Sequence, residues 1–131
     1  MSKCLIFFII TITTFLAINS VHCDSYEEEK SHHFLMGFMK GGDRLLYKGI
    51  FVKKAKWFRK RTQDIKFPEI AGIAFGPTIT FIKVTDQYQN GEGGYASIYE
   101  GGVGEKSVTM HLKSQRGHGF NFMIEIYGHS I

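Results

Sequence analysis

The run Lys53-Lys54-Ala55-Lys56-Trp57-Phe58-Arg59-Lys60-Arg61 puts six cations into nine residues and sets two aromatics among them. Cations neutralise phosphate or sulfate, and an aromatic ring offers a stacking face, so this run could hold an anionic partner. The same letters fit an edge strand. Lys54, Lys56, Phe58 and Lys60 would then share one face, with Ala55, Trp57, Arg59 and Arg61 on the other. Lysines on such an edge discourage edge-to-edge pairing. A second run, Lys113-Ser114-Gln115-Arg116-Gly117-His118-Gly119, adds basic side chains beside two glycines. Successive N–H groups in a glycine turn cradle anions, with the Arg116 guanidinium as a fork donor. A turn that shows its cations to water is the simpler account of that loop. The candidate anion-binding residues are therefore Lys53, Lys54, Lys56, Trp57, Arg59, Lys113, Arg116 and His118.

Other chemistry has little support. Gly91-Glu92-Gly93-Gly94 and Gly101-Gly102-Val103-Gly104 have no following helix and no closing Lys-Ser/Thr pair, so they read as hairpin turns and not phosphate loops. Ser114, His111, His118 and Asp86 make a triad only on paper, because no nucleophile elbow surrounds a serine. Glu100, Glu105 and Glu125 form no recognisable carboxylate pair. His32-His33 is one pair in a polar arm, short of the three or four ligands of a closed metal site. The reading is a binding protein, not an enzyme, without cofactor or metal.

The elements that must position these residues are strands. Val108, Met110 and Leu112 alternate with Thr109, His111 and Lys113, and Phe120, Phe122, Ile124 and Ile126 alternate with Asn121, Met123, Glu125 and Tyr127. A period of two on both flanks of the glycine loop predicts a hairpin of half-buried strands. Residues 78–88 form the longest β-branched run, and residues 95–99 alternate Tyr95, Ser97 and Tyr99 with Ala96 and Ile98. With residues 44–52 and a strand around Trp57, the expectation is an all-β domain. It would be an antiparallel sandwich or barrel-like closure built on a C-terminal meander, since one sheet alone cannot bury its apolar face.

The organisation follows from the first third of the chain of 131 residues. Lys3, an uncharged apolar run and small residues up to Cys23 have the form of a secretory signal peptide over residues 1–23, with cleavage after Cys23 or after Ser20. Residues 24–40 read as a polar, acidic leader arm and residues 41–131 as the domain, with no membrane span in the mature chain. Cys4 and Cys23 are the two cysteines and both lie in or at the edge of the removed segment, so a hydrophobic core must hold the mature fold without a disulfide. From Lys40 onward 14 Lys/Arg face 8 Asp/Glu, a formal +6. That balance favours an anionic partner: nucleic acid, sulfated sugar, acidic lipid or acidic protein. A nuclear-import reading of residues 53–61 conflicts with export through a signal peptide.

Several blocks resemble the multiprotein bridging factor type 2 family of insects. They are Gly42-Asp43-Arg44-Leu45, Val52-Lys53-Lys54-Ala55-Lys56-Trp57-Phe58-Arg59, Gly93-Gly94-Tyr95-Ala96, Gly101-Gly102-Val103-Gly104, residues 113–122 and Glu125-Ile126-Tyr127-Gly128. The resemblance covers roughly residues 41–128. It implies two roles. The naming member is described as a transcriptional co-activator, bridging an orphan nuclear receptor to a general transcription factor without binding DNA itself. Other members carry signal peptides and are labelled salivary or venom secreted proteins. No catalytic residues come with the family. With the export signal, the resemblance implies an extracellular protein whose partner is another protein or an anionic polymer. The nuclear co-activator is the alternative.

Overall fold

The computed structural model describes residues 32–69 and 76–130. The signal segment with both cysteines, the acidic run at 24–29 and residues 71–75 of the glycine-interrupted stretch lie outside the described residues. Seven strands follow in order: β1 (Phe34–Gly37), β2 (Arg44–Lys53), β3 (Thr62–Phe67), β4 (Thr78–Asp86), β5 (Tyr95–Gly101), β6 (Val108–Lys113) and β7 (Phe120–His129). They form two antiparallel sheets, ordered β1-β4-β7-β2 and β3-β6-β5. The all-β expectation is borne out, and the closure is an open sandwich. The Tyr47 and Phe67 rings meet at 5.7 Å, which sets β2 over β3, and His32 lies 4.6 Å from the Tyr95 ring, which sets the start of β1 over β5.

The core lies between the sheets. Phe120, Phe122, Ile124 and Ile126 of β7 face Val108, Met110 and Leu112 of β6, with Ile79, Ile82 and Val84 of β4 beside them, all buried. Each such side chain contributes roughly 1.5–3 kcal/mol relative to exposure. Plain alternation along β4 would put Ile79, Phe81 and Lys83 on one face and bury the lysine. A register shift between Ile79 and Phe81 prevents this. Beyond it Ile82 and Val84 turn inward, while Lys83 turns out and flanks Glu125 together with Lys48, at 3.8 and 3.3 Å. The bulge re-aims the strand so that its apolar set stays in the core.

Two expectations about connectivity are corrected. First, β6 and β7 are not a hairpin: they lie in opposite sheets, and residues 114–119 cross between them. Alternation reports which face of a strand is buried, not which strand lies beside it, and two strands facing each other across a core show the same one-sided pattern. The C-terminal meander reduces to the β5–β6 pair, and residues 87–94 also cross between sheets. Second, no strand surrounds Trp57; residues 54–61 are a loop, and β3 starts at Thr62. Within residues 24–40, Phe34–Gly37 pairs antiparallel with β4.

Candidate functional site

Strand register gathers three loops at one end of the sandwich. Lys53 at the end of β2 pairs with Phe120, Asp86 at the end of β4 pairs with Phe122, and Thr62 and Tyr95 both pair with Lys113. Residues 54–61, 87–94 and 114–119 therefore share that end. Backbone bonds tie them together. Gly117 N donates to Arg59 O at 3.0 Å and Ser114 N to Arg61 O at 2.8 Å. Arg61 N donates to Ser114 Oγ at 2.7 Å, and the same hydroxyl donates to Gln115 O at 2.9 Å. Gln115 Nε2 then reaches Gly91 O and Gly93 O at 2.7 and 2.9 Å. Two basic segments more than fifty residues apart in sequence become one surface through these contacts.

The tip of the 54–61 loop is apolar and open. Trp57 is 82 % exposed and Phe58 is 72 % exposed, with their rings 5.5 Å apart. Phe58 sits at φ +54°, in a turn closed by Arg59 N donating to Lys56 O at 3.1 Å. A bulky residue rarely adopts this left-handed conformation. Lys54, Lys56, Arg59 and Lys60 are exposed, and Lys53 and Arg61 are half-buried. Arg116 is exposed in the neighbouring loop, and Lys113 is exposed on the outer face of the smaller sheet. Among the described residues no carboxylate pairs with Lys54, Lys56, Arg59, Lys60 or Arg116. His118 differs: its Nδ1 lies 3.9 Å from Glu92, an exposed acid of the 87–94 loop. Of the candidate residues, Lys53, Lys54, Lys56, Trp57, Arg59, Arg116 and His118 are brought to the loop end, and Lys113 borders it. The candidate set omitted Phe58, Lys60 and Arg61. The signal for them was their place in the same cationic run.

The residues of the paper triad each meet a different partner. The buried Ser114 hydroxyl, 2 % exposed as a residue, is engaged both as acceptor and as donor, so it is a strut between loops. His111 Nδ1 lies 2.5 Å from Asp64, and its ring stacks on Tyr99 at 4.9 Å, on the outer face of the smaller sheet. Asp86 is buried and accepts from His32 N and Tyr88 N, both at 3.0 Å, while its own N–H donates to His33 Nδ1 at 3.0 Å. The His32-His33 pair thus pins the start of β1 onto the end of β4. Among the described residues, no group of three or more His, Cys, Asp or Glu is placed to hold a metal.

Concavities among the described residues also lie elsewhere. An open groove of about 330 Å³ runs between the edges of β2 and β3, lined by Tyr47, Phe51, Gln63, Asp64, Ile65 and Glu69 among others. Burial, and then the Glu69 charge, push the Tyr47 phenol above its usual 10.0. A cleft of about 130 Å³ at the far end lies beside Phe38, Thr80 and His129. Near it the Asp43 carboxylate accepts from Thr80 Oγ1 and Lys40 N, both at 2.6 Å, and lies 3.1 Å from His129 Nδ1.

Fold and site together define a two-sheet antiparallel sandwich whose loops at one end carry unpaired cations around an exposed aromatic pair. The chain belongs to the MBF2 family: the family model described as "Transcription activator MBF2" matches residues 36–128. A similar curated protein, the "Probable salivary secreted peptide" of Bombus ignitus, is 42% identical over 106 residues, which covers 81% of this chain and 76% of that protein. No solved structure matches the chain. The family resemblance carried by the sequence blocks is borne out.

Proposed function

We propose that this protein is a secreted, non-enzymatic binding protein that holds an anionic partner through its loop-end cations. The observation that carries the reading is the joining of residues 53–61 to residues 113–118. Lys54, Lys56, Arg59, Lys60 and Arg116 then face solvent with no carboxylate paired to them among the described residues. Secretion is supported by the form of residues 1–23 and by the name of the salivary relative. The description of the family as a transcription activator supports the alternative, a nuclear co-activator.

The expected behaviour is retention of the mature chain on a heparin column, with release by salt, because cation–sulfate contacts exchange counterions. The variant K54Q/K56Q/R59Q/K60Q should elute at clearly lower salt. No retention at low salt, or retention that salt does not weaken, would remove the reading. Intact mass of material recovered from culture medium tests the compartment: a chain starting at Asp24 or Val21 is expected, and an unprocessed chain found only inside cells favours the nuclear alternative.

A further inference from the structure

We infer that the 53–61 loop is a membrane-docking loop for bilayers rich in anionic lipid. Trp57 and Phe58 enter the headgroup region while the surrounding cations hold lipid phosphates. This inference rests on the cationic-face reading above and names the partner class for it.

The argument begins with what a soluble polyanion would leave unexplained. A sulfated chain needs hydrated cations at the surface, but it gives no cover to two large apolar rings in water. Trp57 and Phe58 are the most exposed large hydrophobic residues described, and they are neighbours at one tip. The backbone there is held in a conformation unfavourable to a bulky residue, φ +54° at Phe58. The stem below is fixed by the Gly117–Arg59 and Ser114–Arg61 bonds, so the tip keeps its place. A bilayer interface covers both rings, and its headgroup level suits the indole, which has an apolar body and one polar N–H.

Charge points the same way. No acidic residue occurs between Asp43 and Asp64, and six cations lie within residues 53–61. Lysines on the outer face of the larger sheet are different: Lys48 and Lys83 share Glu125. The unpaired positive charge is thus concentrated around the apolar tip, the pattern of surfaces that combine shallow insertion with attraction to anionic lipid. Apolar exposure continues from the tip onto the strand feeding it, where Ile50 and Val52 of β2 are 65 % and 53 % exposed.

The test uses the mature chain with vesicles of phosphatidylcholine alone or with phosphatidylserine added, and a heparin column run in parallel. Trp57 is the one tryptophan in the sequence, so its emission reports the tip directly. Sedimentation with phosphatidylserine vesicles is expected, with a blue-shifted emission and shielding from an aqueous quencher, and neither is expected with phosphatidylcholine alone. Each cation removed from the loop should weaken partitioning about five-fold at low salt. W57A/F58A should lose vesicle sedimentation by ten-fold or more while keeping its heparin retention and its circular dichroism. Heparin retention of the wild type without vesicle binding overturns the membrane inference and leaves the cationic face standing. Equal losses on heparin and vesicles in W57A/F58A also overturn it, because the rings then belong to a polyanion site. Failure on both supports overturns the inference and the reading beneath it.

Discussion

Phe58, Gly119 and Asp43 each show how one side chain, or its absence, decides local structure. Phe58 takes φ +54°, which costs an L-residue roughly 1–2 kcal/mol, partly offset in any glycine variant by the entropy glycine loses on folding. F58G is therefore expected to leave urea stability unchanged or raise it by up to about 1 kcal/mol. A clear loss of stability would mean that the ring supports the loop, contrary to its exposure. Gly119 behaves oppositely. A Cβ there would meet the Lys53 carbonyl oxygen and the Ala55 nitrogen well inside contact distance, where the two loops touch. G119A should cost about 2–3 kcal/mol, measured by the urea midpoint. In sequence the glycines at 117 and 119 look alike, but the structure uses them differently. Gly117 takes a positive φ, at +78°, whereas Gly119 is required by close approach, which only the neighbouring chain reveals. Asp43 carries the acid dependence. The Thr80 hydroxyl above all, then the Lys40 N–H, hold its carboxyl below the ordinary 3.8, with His129 adding to the effect and desolvation opposing it. A lowered folded-state value means stability that is fully present above 3.8 and lost as pH falls through the folded value. Stability of the wild type should drop toward that of D43N on acidification below pH 3.8, and parallel stability curves for the two proteins would contradict the assignment.

Strand β7 shows what periodicity can and cannot convey about an element. Its alternation of Phe120, Phe122, Ile124 and Ile126 with polar or half-buried residues marked the buried face correctly, and those four side chains are between 0 and 1 % exposed. It did not reveal that β7 lies at the centre of the larger sheet, between β4 and β2, or that β6 lies across the core from it. Pairing depends on how the crossing loops run, and a loop such as 114–119 looks the same in sequence whether it reverses within a sheet or passes to the next. The misassigned strand around Trp57 has a related cause. Residues 54–61 alternate in charge and aromaticity, yet they have no apolar face to bury, and without one a pleated pattern has nothing to hold it. The contrast is measurable. Phe122, wholly buried against β6, should cost about 3–5 kcal/mol when truncated to alanine. Trp57, larger but open to solvent, should change stability by no more than about 0.5 kcal/mol in W57A. Denaturation followed by circular dichroism separates the two, and a large loss for W57A would place the loop within the cooperative core.

For the molecule as a whole, the excess of cations was legible in the composition, but its placement was not. Residues 53–61 and 113–118 share one end because β2 and β7 pair, β3 and β6 pair, and the loop after β6 crosses the core. None of those pairings is written in local pattern. If placement governs binding, two variants with the same change in net charge must behave differently. K54Q/K60Q removes two charges beside the aromatic tip. K40Q/K106Q removes two from the opposite end, where residues 38–43 and 102–107 connect strands. A strand of ten residues spans roughly 33 Å, while charges are screened within about 10 Å at 0.1 M salt. Lysines at the far end therefore contribute almost nothing to contacts made by the loop. K40Q/K106Q should elute from heparin where the wild type does, and K54Q/K60Q should elute well before it. The same order is expected for vesicles containing phosphatidylserine. Equal shifts for the two variants would mean that total charge, and not the loop-built end, governs association, since sequence composition alone would then account for the binding.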